Sequence, residues 1–222
     1  VIGAKELLQQ LNPDDVDFLV LPEMAFTGYM FESMEEIRPF AEDENGETFR
    51  FCKEWSLRLD ACVAAGYALK DGTTSSGEAR LFNAMCVVVM TQSAAFGIHS
   101  EDPNTGRVQD KNGELRCTYK KTFLYTTDKS WATKGDGFVA FDLDGTKVGV
   151  GICMDLNPED FRMEDDTFAL ASYCAKENID VMLFPTNWLA SDDDGSGLSL
   201  HNYWCVTLLL HFNPVLADIF CA

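Results

Sequence analysis

The chain returns repeatedly to one device, a short apolar run of strand length that stops at a turn or a polar residue. Asp17-Phe18-Leu19-Val20-Leu21 runs into Pro22-Glu23, and residues 62–67, 85–90 and 180–184 are further runs of this kind. Between them lie stretches whose apolar residues recur at helical spacing. Residues 47–59 place Phe51, Trp55 and Leu59 on one face, and residues 159–178 offer Phe161, Phe168, Leu170, Ala171 and Cys174 for an inner face. One hairpin interrupts the alternation, over residues 137–152, with Asp144-Gly145 as its turn pair. Buried strands alternating with one-sided helices need a layer on each side of a sheet, so the pattern predicts an α/β layered fold.

The remaining segments follow from local chemistry. Residues 1–11 form an amphipathic helix stopped by Asn12-Pro13, and Ser33-Met34-Glu35-Glu36 carries a helix-capping pattern. Residues 71–77 make a turn, residues 99–113 a polar excursion, residues 115–125 an alternating strand and residues 191–197 an acidic loop. The first residue is not methionine and no strand precedes the first helix, so residues are expected to be missing at the front. Residues 199–222 begin as a helix and bring back no further strand, and truncation is expected there too.

Composition narrows the function. With 222 residues, 46% hydrophobic and 24% charged, the chain is expected to be one domain over residues 1–222. Its net charge of −19 opposes nucleic-acid binding, which needs a basic footprint. That acidity keeps the protein in solution and also attracts cations. The eight cysteines are scattered with no C-x-x-C pair, which points to reduced thiols and a cytoplasmic setting. Three histidines, none at ligand spacing to a cysteine, argue against a zinc site, and no metal is expected. No apolar run approaches the ~20 residues of a membrane span. No glycine-rich phosphate loop follows a strand, so no cofactor is expected. Nothing in the sequence sets the oligomeric state.

Three polar residues stand at or beside ends of apolar strands, where α/β sheets gather ligand and catalytic groups. Val148-Gly149-Val150-Gly151-Ile152 ends at Cys153, and the chain then turns through Asp155, Asn157 and Pro158. A cysteine so placed is held rigidly and can show its sulfur to a cleft, although a free cysteine also serves simply as a small core residue. Glu23 follows the first strand, either as a solvated loop acid or as a buried carboxylate that must find a partner. Lys120 and Lys121 are adjacent in a strand and so point to opposite faces. Both can be solvated, or one can turn inward.

Glu, Lys and Cys in this order, within LPEMAFTGY, YKKTFLY and GVGICMDLNPEDF, resemble the nitrilase or carbon–nitrogen hydrolase superfamily. FPTNW from Phe184 resembles the superfamily's stretch after the following strand. MAFTGY, and CMDLNP in place of the commoner C-Y-D-x-R-F, are similar to its fungal protein N-terminal amidase branch, which deamidates N-terminal asparagine and glutamine in the N-degron pathway. The resemblance implies a four-layer α-β-β-α sandwich whose first strand and C-terminal strands are missing here. It implies Cys153 as nucleophile, Glu23 as proton acceptor and donor, and Lys121 with the backbone N–H of Met154 as oxyanion donors. Lys121 is preferred to Lys120 because the family's lysine directly precedes the T-x-L step, here Thr122-Phe123-Leu124; many members have histidine where Phe123 stands. A second family glutamate has its nearest counterpart in Asp128, for which a solvated loop acid is the competing role. Asp155 is a further accessory candidate, for which simply ordering the turn after the nucleophile is the competing role.

The implied partner is a protein or peptide N-terminus. Its α-amino group, titrating near pH ~7.7–8.0, calls for a carboxylate beside the cleft. Two alternatives remain: an amidase or nitrile hydrolase of the same superfamily acting on a small metabolite, and a truncated, non-catalytic binding protein.

Overall fold

The computed structural model describes residues 1–13, 15–92, 111–162 and 168–188. Among these, α1 (Ile2–Leu8) leads into β1 (Phe18–Val20). A short α2 (Met34–Ile37) follows, its Ser33 side chain accepting the Glu36 N–H as the sequence predicts. Next come α3 (Glu47–Leu59), β2 (Cys62–Thr73), β3 (Ala79–Gln92) and β4 (Lys111–Lys120). The hairpin β5 (Val139–Leu143) and β6 (Thr146–Val150), then α4 (Ala169–Glu177) and β7 (Val181–Leu183), complete the described elements.

The strands form two sheets, ordered β1-β2-β3-β4 and β5-β6-β7. β1 runs parallel to β2, and β6 parallel to β7, while the remaining pairs are antiparallel. Ala64 opposes Val87 and Val87 opposes Cys117, and this register fixes which side chains share a face. Ala64, Met85, Val87 and Tyr119 meet Phe141, Val148, Val150 and Leu183 in a core between the sheets. On the other face of the first sheet, Val63, Ala65, Phe82, Ala84 and Cys86 take Phe51, Trp55 and Leu59 of α3. Behind the second sheet, Leu170, Ala171 and Cys174 of α4 pack on Ile179 and Met182. The layers are therefore α-β-β-α, in agreement with the expected nitrilase-like sandwich. Asp144 and Gly145 both adopt positive φ, 51° and 85°, as a two-residue turn between twisted strands demands.

Several boundaries differ from the sequence reading. β2 and β3 extend past their apolar runs into an exposed ribbon, because a backbone ladder continues where burial stops. β4 begins at Lys111, so the end of the polar excursion is strand, whereas residues 93–110 lie outside the described residues. β4 stops at Lys120 rather than Tyr125, because from Thr122 on the N–H groups turn to a side chain, as described below. The helix expected over 159–178 begins only at Ala169. Residues Glu159–Phe161 form a 3₁₀ turn with Asp160 and Phe161 at positive φ, and Phe161 is 49% exposed instead of facing inward. The acidic loop at 191–197 and the helix from 199 lie outside the described residues.

Candidate active site

The site is assembled from the ends of β1, β4, β6 and β7. After β1 the chain runs on along β2, with the Leu21 N–H donating to the Ala64 carbonyl at 2.8 Å and the Ala25 N–H to the Gly66 carbonyl at 3.0 Å. This places Glu23 in a turn pressed against β2, and Met24 behind it takes φ 54°. A Cβ added at Gly66 would stand 2.7 Å from the Glu23 Cα, so only glycine lets the turn lie so close.

At the end of β4 the two lysines part as strand geometry requires. Lys120 stays near the surface, over the Phe82 ring and 2.6 Å from Asp71. Lys121 turns inward and is fully buried. Its Nζ donates to Glu23 Oε1 at 2.7 Å and to Asp128 Oδ2 at 2.6 Å. Both carboxylates are fully buried as well, so Glu23 and Asp128 are not solvated loop acids. Asp128 heads a 3₁₀ turn, Asp128–Ser130, and its Oδ2 also accepts the Tyr125 N–H at 3.0 Å. Burial pulls the Lys121 pKa down, but the Glu23 and Asp128 charges outweigh it and hold the ammonium above the ordinary lysine value.

Cys153 opens a 3₁₀ turn, Cys153–Leu156, at the end of the β6 run, with φ 41° and its N–H held by the Pro185 carbonyl at 3.1 Å. A non-glycine residue in that region is strained, a cost that structures bear mainly where a side chain must be aimed. Burial first and the Glu23 charge second push its thiol up to about 12, while Lys121, the Thr186 hydroxyl and the Asn187 backbone draw it back. Asp155 orders this turn, as expected, and does more. Its Oδ2 accepts from the Ile152 N–H at 2.8 Å and the Tyr119 hydroxyl at 2.7 Å. Its Oδ1 accepts from the N–H groups of Thr122 at 3.1 Å and Phe123 at 2.7 Å. One buried carboxylate thus ends β4 and ties the segment after Lys121 to the segment bearing Cys153. After β7, the Asn187 N–H donates to Glu23 Oε2 at 3.0 Å.

Two residues were missed in the sequence. Asn83 is fully buried, and its amide nitrogen donates to Glu23 Oε1 at 2.7 Å and to Asp128 Oδ1 at 3.0 Å. The available signal was a lone amide inside the apolar run Leu81-Phe82-Asn83-Ala84-Met85. The contribution of Asn187 is a backbone N–H, which leaves no trace in residue type.

Cys153 and Met154 lie on a cleft of about 370 Å³ walled by Tyr29, Met30, Tyr125, Phe161 and Trp188. No carboxylate lines it among the described residues; Glu23 and Asp128 lie behind it, already paired. Nor do the described residues group three histidines, cysteines or acids as metal ligands would be, and no described helix is long and apolar enough to cross a membrane.

Comparison with known proteins finds relatives over most of this chain. The model of the carbon-nitrogen hydrolase family matches residues 3–166. Protein N-terminal amidase of Schizosaccharomyces pombe is 30% identical over 232 residues, covering 94% of this chain and 73% of that protein. Its Saccharomyces cerevisiae counterpart is 28% identical over 206 residues, covering 84% of this chain and 39% of that protein. A crystal structure of N-terminal amidase with an Asn-Glu-Ala peptide superimposes with a TM-score of 0.64 at 23% identity, over 93% of this chain and 48% of that one. The chain therefore spans about half of the solved amidase and less of the budding-yeast protein.

Proposed function

Because the chain belongs to the carbon–nitrogen hydrolase family, we propose that it hydrolyses the side-chain amide of an N-terminal asparagine or glutamine, releasing ammonia through a Cys153 thioester. The observation that carries this reading is the meeting of Glu23, Lys121 and Cys153 beside one cleft. The shared name of the two yeast relatives, and the Asn-Glu-Ala peptide in the solved N-terminal amidase, support the substrate class.

A thiol pushed up to about 12 is not a standing thiolate at neutral pH, so its proton must leave as the sulfur attacks. Glu23 takes that proton while sulfur bonds to the amide carbon. The resulting oxyanion lies against the Lys121 ammonium and the Met154 N–H. Lys121 has three N–H donors, of which two hold Glu23 and Asp128, leaving one for the oxyanion. Glu23 returns the proton to the leaving nitrogen, the C–N bond breaks and ammonia departs. Water then gives its proton to Glu23 and attacks the thioester carbon, and the C–S bond breaks to restore the thiol. Asp128 holds the lysine together with Glu23, and Asp155 keeps the two reacting segments in register. The eight scattered cysteines, with no C-x-x-C pair, support a reducing, cytoplasmic setting for this reaction.

The test is ammonia release from peptides that begin with asparagine or glutamine. Acetylating the N-terminus should lower turnover strongly, and moving the asparagine to the second position should stop it. One observation favours a second reading, a small-metabolite amidase or nitrile hydrolase: no described carboxylate lines the cleft to meet an α-ammonium. Equal turnover of acetylated peptides, or turnover only of free amides and nitriles, would establish that reading instead. A chain that folds, labels at Cys153 and hydrolyses none of these would be a binding protein.

A further inference from the structure

We propose that Asn83 is a positioning residue that decides which oxygen of Glu23 meets the thiol and holds Glu23 and Asp128 side by side; its catalytic part rests on the reaction proposed above. Asn83 lies on β3, on the face toward the other sheet, between the fully buried Leu81 and Met85. It touches all three charged members of the cluster. Its backbone carbonyl accepts the Lys121 N–H at 2.8 Å, and its side-chain nitrogen divides its hydrogens between Glu23 Oε1 at 2.7 Å and Asp128 Oδ1 at 3.0 Å.

The orientation of this amide is set by chemistry. Flipping it would turn a carbonyl oxygen onto two carboxylates. As it stands, its Oδ1 is buried without a hydrogen-bond partner, a cost that any partner-seeking orientation would avoid. The consequence falls on Glu23. Oε1 accepts from Lys121 and Asn83 together, whereas Oε2 accepts from the Asn187 N–H, whose backbone also acts on the Cys153 thiol. Oε2 is thus the oxygen turned toward the chemistry, and rotation of the carboxylate would break two buried hydrogen bonds.

Residue type matters for charge as well. Glu23 and Asp128 bring two negative charges and Lys121 one positive charge, with Tyr29 and Cys153 as the other titratable groups facing Glu23. A second cation at position 83 would blunt Glu23 as a base. An apolar residue would leave two carboxylate oxygens short of a donor. A neutral amide bridges both carboxylates without neutralising either.

The experiment compares Asn83→Leu, Asn83→Ser and a packing control, Val87→Ala, in denaturant unfolding and in turnover of an Asn-initiated peptide, and repeats Asn83→Leu and Val87→Ala in a Glu23→Gln background. The leucine variant should unfold at lower denaturant than wild type, because two buried carboxylate oxygens lose a donor. Asn83→Ser, with one donor, should fall between. The loss from Asn83→Leu should shrink in the Glu23→Gln background, where the bond to position 23 is no longer charge-assisted, whereas the loss from Val87→Ala should be the same in both. kcat of Asn83→Leu should drop by about tenfold or more with KM within about twofold. A loss from Asn83→Leu that is equal in the two backgrounds overturns the proposal, as does an unchanged kcat in the Asn83 variants where wild type turns over the peptide. Should wild type turn over no such peptide, the functional reading fails, and the unfolding cycle alone decides the role of Asn83.

Discussion

Carboxylates gather at both ends of the space between the two sheets, in opposite ways. At the end where β1, β4, β6 and β7 finish, Glu23, Asp128 and Asp155 are fully buried and each accepts several hydrogen bonds. At the other end, Asp17, Asp60, Glu114, Asp142 and Asp144 line a cavity of about 1150 Å³ with Arg116, and all six are exposed. The larger cavity and the greater number of acids thus lie away from the thiol. What sets the thiol end apart is desolvation. A carboxylate kept from water must be paired, pairing fixes its geometry, and fixed geometry is what chemistry needs. Exposed acids keep their hydration and their freedom, and contribute mainly to net charge.

This contrast can be broken or sharpened by substitution, beginning with the largest effect. Cys153→Ala should abolish hydrolysis, a loss of about 10⁴–10⁶-fold for a covalent nucleophile, while circular dichroism stays that of wild type. The same loss from Cys117→Ala or Cys174→Ala in a folded protein would mean that the wrong thiol has been assigned.

Glu23→Gln should reduce turnover by about 10²–10⁴-fold, the range of a general base. Yet its thiol should ionise more readily, because the Glu23 charge is one of the groups that push Cys153 up to about 12. Wild-type alkylation by iodoacetamide should climb without a plateau below pH ~10, and the Glu23→Gln curve should lie at lower pH. A curve displaced to higher pH would contradict the placement of Glu23 beside the thiol.

Lys121→Met should destabilise by about 3–5 kcal/mol, because two carboxylates are left buried and facing each other. In wild type the folded lysine holds its proton above the ordinary value, so its contribution is complete below pH ~10.4 and is lost as pH rises beyond. Full activity and stability in the methionine variant would remove the lysine from the site.

A smaller loss is expected from Gly66→Ala, about 1–3 kcal/mol of overpacking with reduced turnover, since the new methyl meets the Glu23 backbone. At the far end, Asp17→Asn and Glu114→Gln should change stability by no more than about 0.5 kcal/mol and leave turnover within experimental scatter. A large loss there would erase the distinction between the two ends.

Residue order alone carried much of this protein. The 3.6-residue spacing in 47–59 predicted α3 with its buried face, and Asp144-Gly145 predicted the hairpin, because both depend on interactions within a few residues. Opposite faces for Lys120 and Lys121 followed from strand geometry, and the pairing of these lysines with Asp71 and with Glu23 and Asp128 bears this out. Helix α4 was placed too early, since Phe161 fits the period but stands in a separate 3₁₀ turn outside the core. Only the tertiary structure decided that Asp128 is buried, that Asn83 bridges it to Glu23, and that Asp155 joins the segments after β4 and β6. Those contacts span 45, 60, 33 and 32 positions. A polar side chain has no periodic signature of its own, and whether it is paired or hydrated depends on what distant strands bring beside it.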